Sequence, residues 1–137
     1  MSSSVSLAVG VDVVEIERIR AALDRHGQRF LDRVFTPAEQ AYCRGQVPCL
    51  AARWAAKEAV AKALGCGIGD VAWREIEIVA DERRRPTVKL LGAAAHVAAA
   101  QGLEQWAVSL SHTREHAVAV VVAQGLRNTA GGSGDDV

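Results

Sequence analysis

Apolar and polar residues follow two different spacings along this chain, and the spacing changes several times between its ends. The valine-rich run LAVGVDVV near the start predicts a strand that continues to about Asp12 or Val13. In the next segment, EIERIRAALDRHG, apolar residues recur three and four apart, which predicts a helix that ends at Gly27. The first two elements are therefore expected to be a strand and a helix.

Two further helices are predicted in the middle of the chain. The segment TPAE places Thr36 before a proline and three residues before Glu39, which is a capping box and marks the start of a helix. A loop that contains Pro48 is expected to lead into RWAAKEAVAKALG, a long helix that ends at Gly65. Its alanines would let another element approach the helix backbone closely.

Strands dominate the second half of the chain. The segments EIEIVA and TVKLL flank the turn DERRRP, AAAHVAAAQG is typical of a short helix, and TREH joins WAVSLSH to AVAVVVA. Because strands and helices are mixed without a regular βαβ alternation, we expect an α+β fold in which an antiparallel sheet packs against the long helix. One domain is predicted over residues 1–124, and a disordered tail over residues 125–137.

Composition and charge exclude several classes of protein. The 137 residues carry 16 basic and 16 acidic side chains, so no overall attraction to nucleic acid or membranes is expected. The start MSSSVSLAVG lacks the basic residues of a signal peptide, and the longest apolar run, AVAVVVA, is too short to span a bilayer. Cys43, Cys49 and Cys66 argue against a disulfide framework or a zinc site and for a reducing compartment. We expect a soluble cytoplasmic protein.

The long helix separates small residues from charged ones on a helical wheel. Alanines occupy one side of RWAAKEAVAKALG, and the other side carries Arg53, Lys57, Glu58 and Lys62. One interpretation is a solvated face on which Glu58 and Lys62 form an ordinary ion pair one turn apart. The other is a binding site, because three cations suit a polyphosphate ligand.

Asp12 is a carboxylate at the end of an otherwise apolar strand, where burial is costly unless the group is paired or bound to a metal. One explanation is that Asp12 caps the following helix. Together with Glu58, it would alternatively make a small oxygen site suited to Mg²⁺, which typically takes one or two protein carboxylates and substrate phosphate oxygens. The residues thus suggest a Mg²⁺–pyrophosphate site.

Three other patterns have both a functional and an ordinary explanation. HTREH at 112–116 matches a zinc-protease pattern, but it lies in a short connection between strands rather than on a helix. GCGIGD at 65–70 follows a helix, so a helix end and a turn explain it, although its backbone N–H groups would also suit a phosphate. The hydroxyls and imidazole of SLSHT suit a phosphate or simply a hairpin.

An arginine face is expected in the helical region after Asp12. Arg18, Arg25 and Arg29 share one side with Ala22. A solvated basic face explains this arrangement, and docking of an acidic partner is the alternative.

Taken in chain order, GVDVVEIERI, FTPAE, ARWAAKEAVAKALG, GIG and VSLSHT resemble the 4′-phosphopantetheinyl transferases of the holo-[acyl carrier protein] synthase type. The resemblance extends from about residue 7 to residue 123. It implies Mg²⁺-dependent transfer of the 4′-phosphopantetheine group from coenzyme A to a serine of apo-acyl carrier protein, with release of 3′,5′-ADP, in fatty acid biosynthesis.

The resemblance also assigns roles to individual residues. Asp12 and Glu58 would bind Mg²⁺ together with the pyrophosphate of coenzyme A, and Lys62 would neutralise charge at that pyrophosphate. The acidic carrier protein would dock on Arg18 and the arginines that share its face. Besides Lys62, the residues implied to bind coenzyme A would hold its nucleotide end, including the 3′-phosphate, and these are Arg53, Gly65, Gly67, Gly69, Ser111, His112 and Thr113.

Two positions differ from the pattern of related transferases. Trp54 stands where the family usually has phenylalanine, which suggests a variation in packing. Val14 stands where larger relatives carry a second acid, which is similar to the small single-domain members that form homotrimers with sites at subunit interfaces. The missing acid leaves the general base open between Glu58 and a metal-bound water, with the water favoured.

Two other functions are compatible with the same residues. One is a non-catalytic trimeric scaffold that binds acidic carrier proteins through the arginine face. The other is a different Mg²⁺-dependent nucleotide enzyme, such as a pyrophosphohydrolase, although such enzymes usually need more than two carboxylates.

Overall fold

The computed structural model describes residues 3–128, which form one three-stranded sheet, one two-stranded sheet and five α-helices. The strands are β1 (Ser3–Glu15), β2 (Ile76–Ala80), β3 (Pro86–Leu90), β4 (Gln105–His112) and β5 (His116–Asn128). The helices are α1 (Ile16–His26), α2 (Gln28–Val34), α3 (Pro37–Cys43), α4 (Val47–Ala63) and α5 (Gly92–Ala100), with a 3₁₀ turn at Trp73–Glu75. The predicted α+β class is confirmed.

The larger sheet has the order β1-β5-β4, and all of its neighbouring strands are antiparallel. Helix α4 packs across one face of this sheet, against β1 and β5. The approach is so close that a Cβ atom on Gly10 would lie 1.9 Å from the carbonyl oxygen of Ala59. Glycine on the strand and alanines on the helix therefore bring β1 and α4 into backbone contact, as the alanine-rich sequence predicted.

The opposite face of the three-stranded sheet is apolar and exposed. Val9 lies beside Val122 and Val11 beside Val120, and these four side chains are all classed as exposed. The pattern follows from strand geometry, because alternate residues of β1 point toward α4 and the others point away from it. The exposed large apolar residues on these two strands are Val5, Leu7, Val9, Val11, Val13, Val120, Val122 and Leu126.

Three boundaries differ from the sequence prediction. Pro48 lies in the first turn of α4 rather than in a loop, because that turn needs no proline N–H and the fixed φ of proline suits it. Helix α2 was not predicted. Residues 125–128 belong to β5, where Gly125 pairs with Ser6, so the predicted tail from 125 is wrong for these four residues. The rest of the predicted tail lies outside the described residues.

The cysteines argued against disulfide bonds, and this expectation is wrong for one pair. Cys43 at the end of α3 is bonded to Cys49 in α4, with their Cα atoms 5.4 Å apart, whereas Cys66 is a free thiol. The sequence argument treated an odd number of cysteines as unpaired, but a tight turn between two helices brings the first two together. Within residues 3–128, no helix is long and apolar enough to cross a membrane.

Candidate active site

The charged residues of α4 lie in two stripes rather than on the single face that the sequence predicted. At about 100° per residue, Lys57 follows Arg53 on the wheel, whereas Glu58 and Lys62 point roughly 140–180° away from Arg53. The Arg53–Lys57 stripe is buried and the Glu58–Lys62 stripe is more open. The single face was wrong because the four positions span about 180° of the wheel. Since α4 is buried almost all round, its charged residues face different neighbours.

Asp12, on the strand beside α4, forms an ion pair with Lys62. The ammonium Nζ of Lys62 lies 3.0 Å from Oδ1 of Asp12 and also donates to the carbonyl oxygen of Val11. The Asp12 side chain is 13% exposed, and its second oxygen, Oδ2, is buried without a hydrogen-bond partner. Lys62 thus pairs with Asp12 across the helix–strand contact, and Oδ2 of Asp12 is left free to bind something else.

Glu58 lies in the same electrostatic environment. Burial raises the pKa of Glu58, and the nearby Asp12 carboxylate raises it further, whereas Lys62 and Arg18 oppose the shift. Arg18 reaches this place from α1, with its guanidinium carbon 5.4 Å from the ring centre of Trp54. Asp12, Glu58, Lys62 and Arg18 therefore surround one small polar region where β1, α1 and α4 meet.

This region fits a divalent cation. The carboxylates of Asp12 and Glu58 repel each other, and Oδ2 of Asp12 is buried without a partner. A cation between two such carboxylates would stabilise both. Within residues 3–128, no group of three or more His, Cys, Asp or Glu side chains is placed to hold a metal. A site with only two protein carboxylates matches Mg²⁺, which keeps its other positions for water and phosphate oxygens.

Arg53 borders a separate cleft of about 470 Å³ between the start of α4 and the end of β4. Its guanidinium carbon lies 4.4 Å from the ring centre of Tyr42, and its Nε is buried without a partner. Ser111 and His112 border the same cleft, so three of the residues predicted at the nucleotide end do come together. Tyr42 was not predicted, although an aromatic residue one position before the end of α3 was visible in the sequence.

The two remaining parts of the predicted nucleotide site are already engaged in local bonds. The Thr113 hydroxyl accepts hydrogen bonds from the backbone N–H groups of Glu115 and His116, which closes the turn between β4 and β5. This turn contains the HTREH segment, which therefore forms a hairpin and not a helix. Thr113 as a ligand contact stays a prediction.

The glycine loop after α4 is a helix end of the Schellman type. The N–H of Gly65 donates to the Lys62 carbonyl and the N–H of Cys66 to the Ala61 carbonyl, with φ of 75° at Gly65. The N–H of Gly67 donates to the Asp70 carboxylate, and the N–H of Gly69 donates to the Val71 carbonyl. The three glycine N–H groups thus have acceptors within the protein, and phosphate binding by this loop stays a prediction.

Lys57 is not a ligand-facing cation. Its ammonium group is fully buried, 2.8 Å from Oε1 of Glu39, and burial lowers the pKa of Lys57 although Glu39 opposes this. The sequence analysis placed Lys57 with Arg53 and Lys62 because it treated about half of the helical wheel as one face. Glu39 was predicted only as a capping residue.

The predicted arginine face is divided between two helices. Arg18 and Arg25 lie in α1, but Gly27, with φ of 55°, interrupts the helix and Arg29 belongs to α2. All three side chains are exposed. Because the chain changes direction at Gly27, a continuous face of the kind predicted is not present, and Arg18 alone reaches the region of Glu58.

Comparisons with known proteins agree on one family. Residues 8–121 match the 4′-phosphopantetheinyl transferase superfamily. A holo-[acyl-carrier-protein] synthase of Herpetosiphon aurantiacus is 50% identical over 126 residues, which cover 87% of this chain and 99% of that protein.

Two solved structures have the same fold. The holo-[acyl-carrier-protein] synthase of Neisseria meningitidis is 37% identical with a TM-score of 0.77, covering 85% of this chain and 96% of that one. The Helicobacter pylori holo-[acyl-carrier-protein] synthase in complex with coenzyme A is 30% identical with a TM-score of 0.77, covering 84% and 98%. The chain therefore belongs to the 4′-phosphopantetheinyl transferase superfamily.

Proposed function

We propose that this protein transfers the 4′-phosphopantetheine group of coenzyme A to a serine of an apo-acyl carrier protein in a Mg²⁺-dependent reaction. The observation that carries this proposal is the free, buried Oδ2 of Asp12 beside Glu58 and Lys62, in a chain of this superfamily. The serine oxygen would form a bond to the β-phosphorus, the pyrophosphate P–O bond would break, and 3′,5′-ADP would leave as the serine proton is released. The pathway we propose is fatty acid biosynthesis.

The polar region at Asp12 supplies the groups that such a reaction needs. Asp12 and Glu58 would hold Mg²⁺, which supplies neutralisation of the negative charge on the pyrophosphate. Lys62 is 55% exposed at its side chain, so its ammonium can contact a phosphate while Asp12 holds it in place. Positioning and charge stabilisation by these three residues would account for most of the rate in a phosphoryl transfer.

The cleft at Arg53 would hold the nucleotide end of coenzyme A. Arg53 has a buried, unpartnered Nε and a guanidinium that is fixed against Tyr42, so it is a preorganised donor for a phosphate group. Ser111 and His112 provide further polar groups at the same cleft. Within a single chain, this cleft is not bordered by Asp12, Glu58 or Lys62.

A homotrimer with sites between subunits would bring the two regions together. The exposed apolar face of β1 and β5, which includes Val9, Val11 and Val122, is the kind of surface that oligomers cover. We propose that second and third copies of this chain cover it, so that Arg53 of one subunit faces Glu58 of its neighbour. Analytical ultracentrifugation is expected to give a trimer that Val9→Lys dissociates.

Subunit mixing tests the shared site. Arg53→Ala and Glu58→Ala are each expected to be inactive, and mixing them after dissociation should restore activity at about a quarter of the sites if each site uses two chains. No recovery from mixed trimers would show that one chain carries the whole site.

Arg18 is the proposed docking point for the carrier protein. It is exposed on α1 and lies beside Glu58, so an acidic carrier held there would present its serine near the reacting phosphate.

Location in the cytoplasm also belongs to the proposal. The Cys43–Cys49 bond is an observation against this location, because disulfides are rare in a reducing compartment. Alkylation of both thiols in intact cells would support the cytoplasm, and protection of Cys43 and Cys49 from alkylation would contradict it.

The transfer itself is tested by intact mass spectrometry of an apo-acyl carrier protein incubated with this protein, coenzyme A and Mg²⁺. We expect the carrier to gain the mass of one phosphopantetheine arm, and EDTA to prevent the gain. Binding of several carriers without any mass gain would replace the proposed transferase with a carrier-binding scaffold. Hydrolysis of coenzyme A without modification of a carrier would indicate another nucleotide enzyme.

A further inference from the structure

A sealed network of hydrogen bonds connects α4 with α3 and β2. The Lys57 ammonium donates to Glu39 and to the backbone carbonyls of Trp73 and Ile76. Glu39 in turn accepts from the backbone N–H of Thr36 at 2.9 Å and from that of Ile78 at 2.8 Å. Every charge in this network is buried and partnered.

The network holds α4 at the residue beside Glu58. Lys57 and Glu58 point about 100° apart on the helix. The buried Lys57–Glu39 pair and the more open site around Glu58 therefore lie on adjacent sides of the same turn. A rotation of α4 by about 20° would move a side-chain atom about 6 Å from the helix axis by about 2 Å. A misplacement of about 1 Å at a reacting centre can cost about a hundredfold in rate.

We propose that the Lys57–Glu39 pair is a positioning device that fixes the rotation of α4 and thereby places Glu58 and Lys62 against Asp12. Lys57 and Glu39 are positioning residues and touch no substrate, and this role rests on the proposed transfer function. A buried ion pair often contributes little net stability compared with neutral side chains of similar volume, and its directional bonds contribute specificity of geometry instead. The three acceptors of Lys57 belong to α3, to the 3₁₀ turn and to the first residue of β2, so they define one orientation of the helix.

Two stacked indoles report the orientation of α4 without any assay of activity. Trp54 on α4 and Trp73 in the 3₁₀ turn have ring centres 5.2 Å apart and planes inclined by 33°. The carbonyl of Trp73 accepts one of the Lys57 hydrogen bonds, so the same network holds both sides of the stack. The exciton signal of the Trp pair in circular dichroism will therefore change if α4 rotates.

The test is the double variant Lys57→Met/Glu39→Gln, which removes both buried charges and keeps an amide oxygen for one of the two backbone N–H groups that Glu39 binds. We expect a folded protein with a reduced Trp exciton signal and a kcat about a hundredfold lower, while KM for coenzyme A changes less than tenfold. The matched control is Leu103→Ala, which removes a buried side chain between α5 and β4, outside the network. It should lower the melting temperature and leave kcat and the Trp signal unchanged.

The double variant overturns the proposal if it folds and retains both the wild-type kcat and the wild-type Trp signal. If it does not fold, Glu39→Asp decides, because it keeps both charges and draws the carboxylate back by one methylene, with a smaller fall in kcat and a change in the Trp signal expected. A folded Glu39→Asp variant with full kcat and an unchanged signal would contradict the positioning role. Absence of transfer by the wild-type protein would instead overturn the proposed function, and the Trp signal would still test the orientation of α4.

Discussion

Two ion pairs on α4 have similar lengths and opposite surroundings. Lys57 and Glu39 are 2.8 Å apart with both side chains fully buried, and each charged group is surrounded by hydrogen-bond partners. Lys62 and Asp12 are 3.0 Å apart, but Lys62 is half exposed and Oδ2 of Asp12 has no partner. The Lys57–Glu39 pair, called the sealed pair below, has no hydrogen-bonding capacity left. The Lys62–Asp12 pair, called the open pair, still has one oxygen without a partner.

This difference separates structure from chemistry on one helix. A buried polar atom without a partner costs free energy, so such an atom is a candidate for a bond to a ligand or a water. A pair whose bonds are complete has no bonding capacity left for a ligand. We therefore propose that the sealed pair orients α4 and that the open pair binds what the protein acts on.

The largest effect is expected from Glu58→Gln, which removes a carboxylate from the open site. Transfer should fall at least about a hundredfold, the scale of losing one electrostatic group at a reaction centre. Stability should change little, because Glu58 is only half-buried and its pKa is already raised by burial and by Asp12. Initial rates and thermal melts check both statements, with Glu104→Gln on the exposed surface as the control. Full activity in Glu58→Gln would remove this residue from the site.

The two lysines should respond in opposite ways to truncation. Lys57→Ala leaves the Glu39 carboxylate buried and unpaired, which is expected to destabilise the fold by about 3–5 kcal/mol. Lys62→Ala removes a side chain that is 55% exposed and leaves Asp12, which is 13% exposed, without its cation, so a loss of stability smaller than that in Lys57→Ala is expected, together with loss of transfer. Urea unfolding of both variants provides the measurement. Equal losses of stability would contradict the contrast between the sealed and open pairs.

Arg18→Glu probes the carrier-binding edge of the open site. We expect affinity for the acidic carrier to fall about tenfold at low salt, and the difference from wild type to shrink as salt screens the charges. Affinity for coenzyme A should stay within twofold, measured by titration calorimetry, with Arg25→Glu as the comparison on the same helix. If both ligands lose affinity equally, Arg18 acts on the site as a whole and not on carrier docking.

The smallest expected effect is on the ionisation of Glu58. Asp12→Asn removes a negative charge that raises the pKa of Glu58, so that pKa should fall. Titration of the side-chain carboxyl carbon by NMR gives the shift without any substrate. A pKa of Glu58 that is the same in both proteins would mean that the two carboxylates do not interact.

The sequence predicted the elements that local pattern determines. The capping box of Thr36 and Glu39, the helix that ends at Gly27 and the strand through Asp12 are all present, because each depends on neighbours in the chain. The pairing of Lys57 with Glu39 was not predictable, since the two residues are 18 positions apart and belong to different helices. A helical wheel gives directions around an axis but not what lies in each direction.

The candidate site was likewise predictable only where it depends on local pattern. Asp12 and Glu58 come together as expected, since a carboxylate in an apolar strand is itself an indication of a partner. The separate cleft at Arg53 depends on where β4 ends relative to α4, and the Cys43–Cys49 bond depends on the turn between α3 and α4. Both are properties of packing, which spacing along the chain does not contain.

The most direct test of the contrast is whether Mg²⁺ strengthens coenzyme A binding through Asp12. Calorimetric titration of coenzyme A is compared in Mg²⁺ and in EDTA, for the wild-type protein and for Asp12→Asn. If Oδ2 of Asp12 is reserved for the cation, Mg²⁺ should tighten binding at least about tenfold in the wild type, equivalent to about 1.4 kcal/mol, and leave Asp12→Asn unchanged. Equal tightening in both proteins would contradict the assignment of the open pair to the site of chemistry.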